Sequence, residues 1–168
     1  AAGAPSMFNS VNSGKITCLD SVSTIADGIA VKQPGENTFD IVSKYVDDIA
    51  LVTEDEISSA ILALIEQEKM IAECAGAVSV AASMFEKFPL EGKKVVSVVS
   101  GGNVDVTSLN RIIERGLIKS GRNTTLLIEL VDKPGQLQAV SRIIAEKGGN
   151  VISVHHERNG ETASINGC

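Results

Sequence analysis

Residues 94–103 read Lys94-Val95-Val96-Ser97-Val98-Val99-Ser100-Gly101-Gly102-Asn103. The run up to Val99 is dominated by valine, and a continuous apolar run of this kind marks a strand buried on both faces, as in a parallel sheet. Ser100-Gly101-Gly102-Asn103 is then a tight turn at the strand's C-terminal end. Ligands of open α/β sheets bind outside that end. Two glycines let a flat ligand approach the backbone, and Ser100 presents a neutral hydroxyl from a rigid strand tip. A plain strand-to-helix turn accounts for the same pattern equally well. The dinucleotide spacing G-x-G-x-x-G is not present.

Working outward, the pattern predicts a helix from Thr107 to Arg115, ended by Gly116, and upstream a helix from Cys74 to Phe88, stopped by Pro89. Met70 to Ala72 is a short connection. Before it, Thr53-Glu54-Asp55-Glu56 is a capping box, followed by the stripe Ile57, Ala60, Ile61, Leu64 and Ile65 of an amphipathic helix. Asp48 to Val52 is a strand, and Thr38 to Tyr45 a short helix behind the Pro34-Gly35 turn. Thr24 to Val31 is an extended piece broken by Gly28. The alternation of strands and helices implies an α/β fold with an open parallel sheet.

The character changes around Gly121-Arg122-Asn123. Thr124 to Val131 is a strand and Asp132-Lys133-Pro134-Gly135 a turn. Gln136 to Lys147 is a helix with Leu137, Val140, Ile143 and Ile144 inward, capped by Gly148-Gly149. Val151 to Glu157 is another strand, followed by an Asn159-Gly160 turn. We therefore expect two domains, 1–121 and 122–168, the second a partial βαβ unit that cannot close a core alone. The chain has 168 residues, begins without Met, and both ends are expected to lie inside a longer protein.

Composition narrows the function. Fifteen Lys and Arg against 21 Asp and Glu give a net charge of −6, which disfavours nucleic-acid and anionic-membrane partners. Aromatic residues are 3%, too few for base-stacking platforms. Cys18, Cys74 and Cys168 have no zinc spacing, and an odd count without a framework fits a reducing cytoplasm. The N-terminus lacks the basic start and apolar core of a signal peptide, and no apolar run approaches the ~18 residues of a membrane span.

Glu73 sits at the start of its predicted helix, where a carboxylate favours the dipole; a simple cap explains it as well. The small-faced run Gly76 to Ala82 implies close packing. His155 and His156, adjacent on a strand, point to opposite faces and cannot serve one metal. Lys32, Lys93 and Lys94 read as surface charges, because nothing marks a desolvated pocket around them.

Taken together in this order, Thr24-Ile25-Ala26-Asp27-Gly28, Pro34-Gly35, Glu73 with Ala75-Gly76-Ala77, and Ser100-Gly101-Gly102-Asn103-Val104-Asp105 resemble the pyridoxal-phosphate enzymes of the tryptophan-synthase-like fold. Threonine dehydratase (threonine ammonia-lyase) and serine racemase are the nearest in pattern. Asp132-Lys133-Pro134-Gly135-Gln136-Leu137 and Gly148-Gly149-Asn150 resemble the first half of an ACT domain, and Gly116 to Arg122 the linker that joins the two. The resemblance covers essentially the whole chain.

It implies that pyridoxal 5'-phosphate is the cofactor, with Ser100 hydrogen-bonding the pyridine nitrogen, Gly101 beside it, Glu73 at the ring edge, and Ala26 to Gly28 lining the pocket. It implies a carbon-nitrogen lyase that converts L-threonine, or serine, to a 2-keto acid (2-oxobutanoate from threonine) and ammonia. Asn103 matches a nucleotide-effector position at a subunit interface. Asp132, Pro134, Gly135 and Leu137 lie where ACT domains hold an amino-acid effector between subunits of a homo-oligomer. Ala4 and Ser6 fall where some relatives bind a divalent cation, but Ser6 replaces a common carboxylate, so no metal is assigned. The family's Schiff-base lysine and its phosphate-cradling glycine loop lie upstream of these motifs. The expectation is that this chain holds no catalytic residue of its own, is inactive alone, and partners the N-terminal half of the same enzyme. The competing expectation is a non-catalytic module for amino-acid sensing and oligomerisation.

Overall fold

The capping box at Thr53 is present in the computed structural model, which describes residues 1–157. The Glu56 N–H donates to Thr53 Oγ1 at 3.3 Å, and the Thr53 N–H donates to Glu56 Oε2 at 2.8 Å. We number the α-helices in chain order: α1 Ser6–Ser13, α2 Glu36–Tyr45, α3 Glu54–Ala63, α4 Val78–Met84, α5 Val106–Lys119 and α6 Gln136–Glu146. The helix behind the box is α3, which passes into a wider π-helical turn, Leu64–Glu68. Its predicted stripe forms the core: Ile57, Ala60 and Ile61 are fully buried, with Leu64 beside them. Ala72, Cys74, Ala77 and Ala81 close over this stripe from the α4 side, and Ile112 from α5.

Three predicted helices differ in extent. The third of these, α5, runs straight through Gly116, which is buried against α3. A Cβ on Gly116 would lie 3.1 Å from Leu62 Cδ2 and 3.1 Å from the Ser58 carbonyl oxygen. The glycine marks the crossing of two helices, not a terminus; the stop comes at Gly121, in left-handed backbone at φ 71°. The second, α4, is shorter than Cys74–Phe88. Residues 74–77 form a turn ahead of it. Its end is a Schellman closure before Pro89 is reached: Glu86 is left-handed (φ 47°), Lys87 N–H donates to Ala82 O at 3.0 Å and Glu86 N–H to Ser83 O at 3.3 Å. The first, α2, begins at Glu36, directly behind Gly35, and packs on α1. The Thr24–Val31 piece carries a single 3₁₀ turn, Asp27–Ile29.

Among the described residues, none of the four predicted strands (48–52, 94–99, 124–131 and 151–157) pairs into a sheet. The expected open parallel sheet is not seen among the described residues. Apolar patterning chooses which residues prefer a sheet interior, but a ladder also needs neighbouring backbone donors and acceptors. Only isolated bonds occur, such as Ala2 N–H to Val52 O at 2.7 Å. Val96 and Val98, expected to be buried on both faces, are 89% and 70% exposed.

The chain divides into two compact units, Ala1–Thr124 and the residues from Thr125 on. In the second, Gly135 (φ 88°) opens α6 and Gly148 (φ 79°) closes it, with Gly149 N–H donating to Ile144 O at 2.9 Å. The predicted inward stripe is not buried: Leu137 and Ile143 are exposed and Val140 and Ile144 only half-buried. The predicted Asn159-Gly160 turn lies outside the described residues.

The first unit is clasped by charge as well. Asp55 receives Arg115 Nε at 2.6 Å and Lys119 Nζ at 2.7 Å, which ties the start of α3 to the end of α5. The Lys119 hydrogen bond, then that of Arg115, holds the Asp55 carboxyl below its usual value of 3.8. A depressed carboxyl contributes stability above its unfolded pKa and loses it as pH falls through the folded one. Thermal unfolding followed by circular dichroism will show the midpoint dropping as pH falls from about 5 to about 3, and Asp55→Asn will flatten that slope. Gly116→Val, which pushes two methyls into Leu62 and the Ser58 carbonyl, will cost about 1–3 kcal/mol in denaturant titration.

Candidate cofactor site

Gly76 fixes the site. A Cβ there would lie 1.4 Å from the Ser100 carbonyl oxygen and 3.0 Å from its nitrogen, so the two backbones touch. Next to this contact, Glu73 N–H donates to Gly101 O at 3.2 Å. Gly101 is left-handed, and a Cβ on it would fall 2.2 Å from Glu73 Cδ: the carboxylate occupies the space a side chain would need. On the other flank, a Cβ on Gly28 would lie 3.4 Å from Glu73 Oε1 and 3.1 Å from Ala75 Cβ. Ser100, Gly101, Glu73 and Gly28 are thus brought together from three distant stretches of chain. Ala26 stands behind them, its methyl fully buried in the core.

Hydroxyls hold the valine run to α4. Ser79 Oγ donates to Val98 O at 2.6 Å, and Ser83 Oγ and Ser97 Oγ share a hydrogen bond of 2.8 Å. These bonds set where Ser100 emerges. The Glu73 carboxylate and the Ser100 hydroxyl themselves have no hydrogen-bond partner among the described residues. Both are open to a ligand.

The surroundings are acidic. Burial, and then the charges of Asp27, Glu54 and Glu73, push the Cys74 thiol above its usual pKa. A phosphate dianion is disfavoured among these carboxylates. A neutral ring, presenting a nitrogen to a hydroxyl and an edge to a carboxylate, is not. Gly28 and Gly101 make room for the Glu73 carboxylate, and that carboxylate with the Ser100 hydroxyl suits a neutral ring edge better than a phosphate.

The other expected site residues lie elsewhere. Glu73 precedes a turn and not a helix, so no dipole acts on it. Asn103 is exposed in the Gly101–Val104 turn, where Val104 N–H donates to Gly102 O at 3.0 Å. Asp132, Pro134, Gly135 and Leu137 belong to the second unit, at the turn into α6. Ala4 and Ser6 are buried, and the Ser6 carbonyl is taken by Ser10 Oγ at 2.7 Å. Lys32 Nζ donates to Asp20 O, and Lys93, Lys94, His155 and His156 are exposed.

The chain resembles known proteins along most of its length. The family description "pyridoxal-phosphate dependent enzyme" matches residues 1–101, and "ACT domain" matches residues 124–166. This chain belongs to the pyridoxal-phosphate dependent enzymes. It is 48% identical over 161 residues to L-threonine ammonia-lyase of Thermotoga maritima, covering 96% of this chain and 40% of that protein. It is 43% identical to L-threonine ammonia-lyase of Geobacter sulfurreducens, over 98% of this chain and 41% of that one. The chain therefore spans about two fifths of the curated relatives it matches. Among solved structures, it superposes on the processed form of threonine deaminase isoform 2 from Solanum lycopersicum with a TM-score of 0.62 and 34% identity, covering 69% of this chain and 32% of that one. Maize serine racemase gives 0.58 and 34%, over 67% and 37%. These relatives support an α/β fold for this family member.

Sequence reasoning missed Gly76 as the contact that brings Glu73 and Ser100 together. The signal was there: one glycine in a small-residue run has only its lack of a Cβ to offer. Gly76→Ala will displace the Ser100 turn, at a cost of about 3 kcal/mol or more in denaturant titration, whereas Ala77→Gly in the same turn will leave the Ser100 amide shift in place.

Proposed function

We propose that this chain is the part of a pyridoxal-phosphate dependent threonine/serine dehydratase that holds the nitrogen side of the cofactor ring, joined to an amino-acid-sensing ACT unit. The reaction is α,β-elimination: L-threonine gives 2-oxobutanoate and ammonia. Bound pyridoxal phosphate supplies the electron sink that lets the α-proton and the β-hydroxyl depart. The carrying observation is the convergence of the Ser100 turn and the Glu73 carboxylate beside Gly28 and Gly101, with neither the hydroxyl nor the carboxylate bonded among the described residues. An amino-acid sensor alone has no use for such a pair.

Each residue has a task. Ser100 binds the pyridine nitrogen as donor or acceptor. A hydroxyl does not force protonation there as a carboxylate would, so the sink stays moderate, which suits elimination over transamination. Glu73 bounds the ring edge. Gly101 and Gly28 make room for the Glu73 carboxylate beside the ring. The cofactor-linking lysine and the phosphate cradle are assigned to the remainder of the enzyme. Asp132, Pro134, Gly135 and Leu137 are assigned to an amino-acid effector between subunits of a homo-oligomer, and Asn103 to a nucleotide effector. Threonine ammonia-lyases of this similarity, with an ACT match after the catalytic part, support this reading.

The test combines this chain with the rest of a threonine ammonia-lyase and pyridoxal phosphate. A bound-cofactor absorbance and ammonia release from threonine are expected. Amino-acid binding by calorimetry with no cofactor spectrum under any condition would overturn the reading. In the assembled enzyme, Ser100→Ala will slow elimination and loosen the cofactor, by the about 1–3 kcal/mol of a buried hydrogen bond. Unchanged kinetics would remove Ser100 from the site.

A further inference from the structure

Behind the Gly28 wall stands a carboxylate with an unusual arrangement. Glu54, the first residue of α3, accepts the Ile25 N–H on Oε2 at 2.7 Å, across 29 residues of sequence. Its other oxygen, Oε1, is buried and has no hydrogen-bond partner. A carboxylate that served only as a surface charge would turn that oxygen to water, since a buried unpaired acceptor costs free energy. The Ile25 bond and the packing hold it inward.

The segment that Glu54 grips is the wall itself. Its other amides close locally: Ala26 N–H on Thr24 Oγ1 at 3.1 Å, Gly28 N–H on Asp27 Oδ1 at 2.9 Å, and Ile29 N–H on Ala26 O at 3.1 Å. Only the Ile25 amide reaches out to α3. On the far side, Ser23 N–H donates to Gly3 O at 2.9 Å, and a Cβ on Gly3 would lie 3.3 Å from Glu54 Oε1, so the first residues of the chain are wedged against the same carboxylate.

We propose that Glu54 is a positioning residue: its carboxylate braces Ile25 and so sets the height of the Ala26–Gly28 wall against Glu73. This rests on the cofactor reading above, but its first test does not. Wall and α3 are joined here by one side-chain hydrogen bond, so a mobile wall means a Gly28 that no longer meets Glu73.

Amide hydrogen exchange of this chain reads the brace directly. In Glu54→Ala, exchange across residues 25–28 will speed up about tenfold or more, while α6 is unchanged. Glu54→Gln keeps the carbonyl acceptor and the length, and will stay within about threefold of the unaltered chain. Being isosteric, it also guards against a Glu54→Ala chain that fails to fold. In the enzyme assembled with the rest of a threonine ammonia-lyase, Glu54→Ala will weaken pyridoxal phosphate uptake about tenfold in an absorbance titration, and Glu54→Gln will restore it. The proposal is overturned by unchanged exchange in Glu54→Ala, by Glu54→Gln exchanging as fast as Glu54→Ala, or by faster exchange with undiminished cofactor affinity. If the unaltered assembly takes up no cofactor, the functional reading fails, and exchange alone decides the brace.

Discussion

The contact between the Gly76 and Ser100 backbones is the constraint on which the site depends. A peptide can approach another peptide this closely only where one residue has no side chain. Everything nearby follows from that approach. The Glu73 amide comes within reach of Gly101 O, the Glu73 carboxylate is laid over Gly101, and α4 starts in the position from which Ser79 and Ser83 catch the valine run. The Ser100 hydroxyl is left unbonded because the backbone on either side of it is already anchored. It is presented, not fixed, and so can turn to suit a ligand.

A second organising fact is the triplet Glu54-Asp55-Glu56 at the start of α3. Consecutive helical residues point about 100° apart, so three neighbours on one turn face three directions. Glu54 faces the wall segment, Asp55 faces α5 and takes two cations, and Glu56 closes the cap and receives Lys87 Nζ at 2.6 Å. All three gain from the helix N-terminus, which eases the crowding of like charges. One turn of helix therefore fixes the wall, the helix carrying the linker, and the exit of α4. Asp55 is partly solvated, so its contribution to holding α5 is modest and screened by salt.

Much of this was legible in the sequence, for identifiable reasons. The Thr53 cap, the α3 stripe, the Pro34-Gly35 turn ahead of α2 and the glycines around α6 are local signals, each decided within one or two turns of chain. Ser100, Gly101, Glu73 and Gly28 were legible as a set only through resemblance; no periodicity says that they meet. What failed was non-local. Gly116 looked like a stop because a glycine's neighbours in space cannot be seen along the chain, and Leu62 is what it was making room for. The α4 limits failed because Pro89 is a stronger textual signal than the left-handed Glu86 that ends the helix first. The expected strands are unpaired among the described residues, because a valine run records the preference of its residues and not the presence of a partner.

The acidity around Cys74 bears on the choice of a hydroxyl at position 100. Asp27, Glu54 and Glu73 already raise the negative potential there. A carboxylate at position 100 would add one more like charge at close range and, if bonded to a ring nitrogen, would lock a proton between them. A serine adds no charge and offers either a donor or an acceptor. It can follow the ring nitrogen in whichever protonation state the surrounding carboxylates favour. The same carboxylates repel a phosphate dianion, so under the proposed function the cofactor's phosphate would be held elsewhere in the enzyme. On that reading charge would set the orientation of the ring, and Ser100 would supply one directional bond.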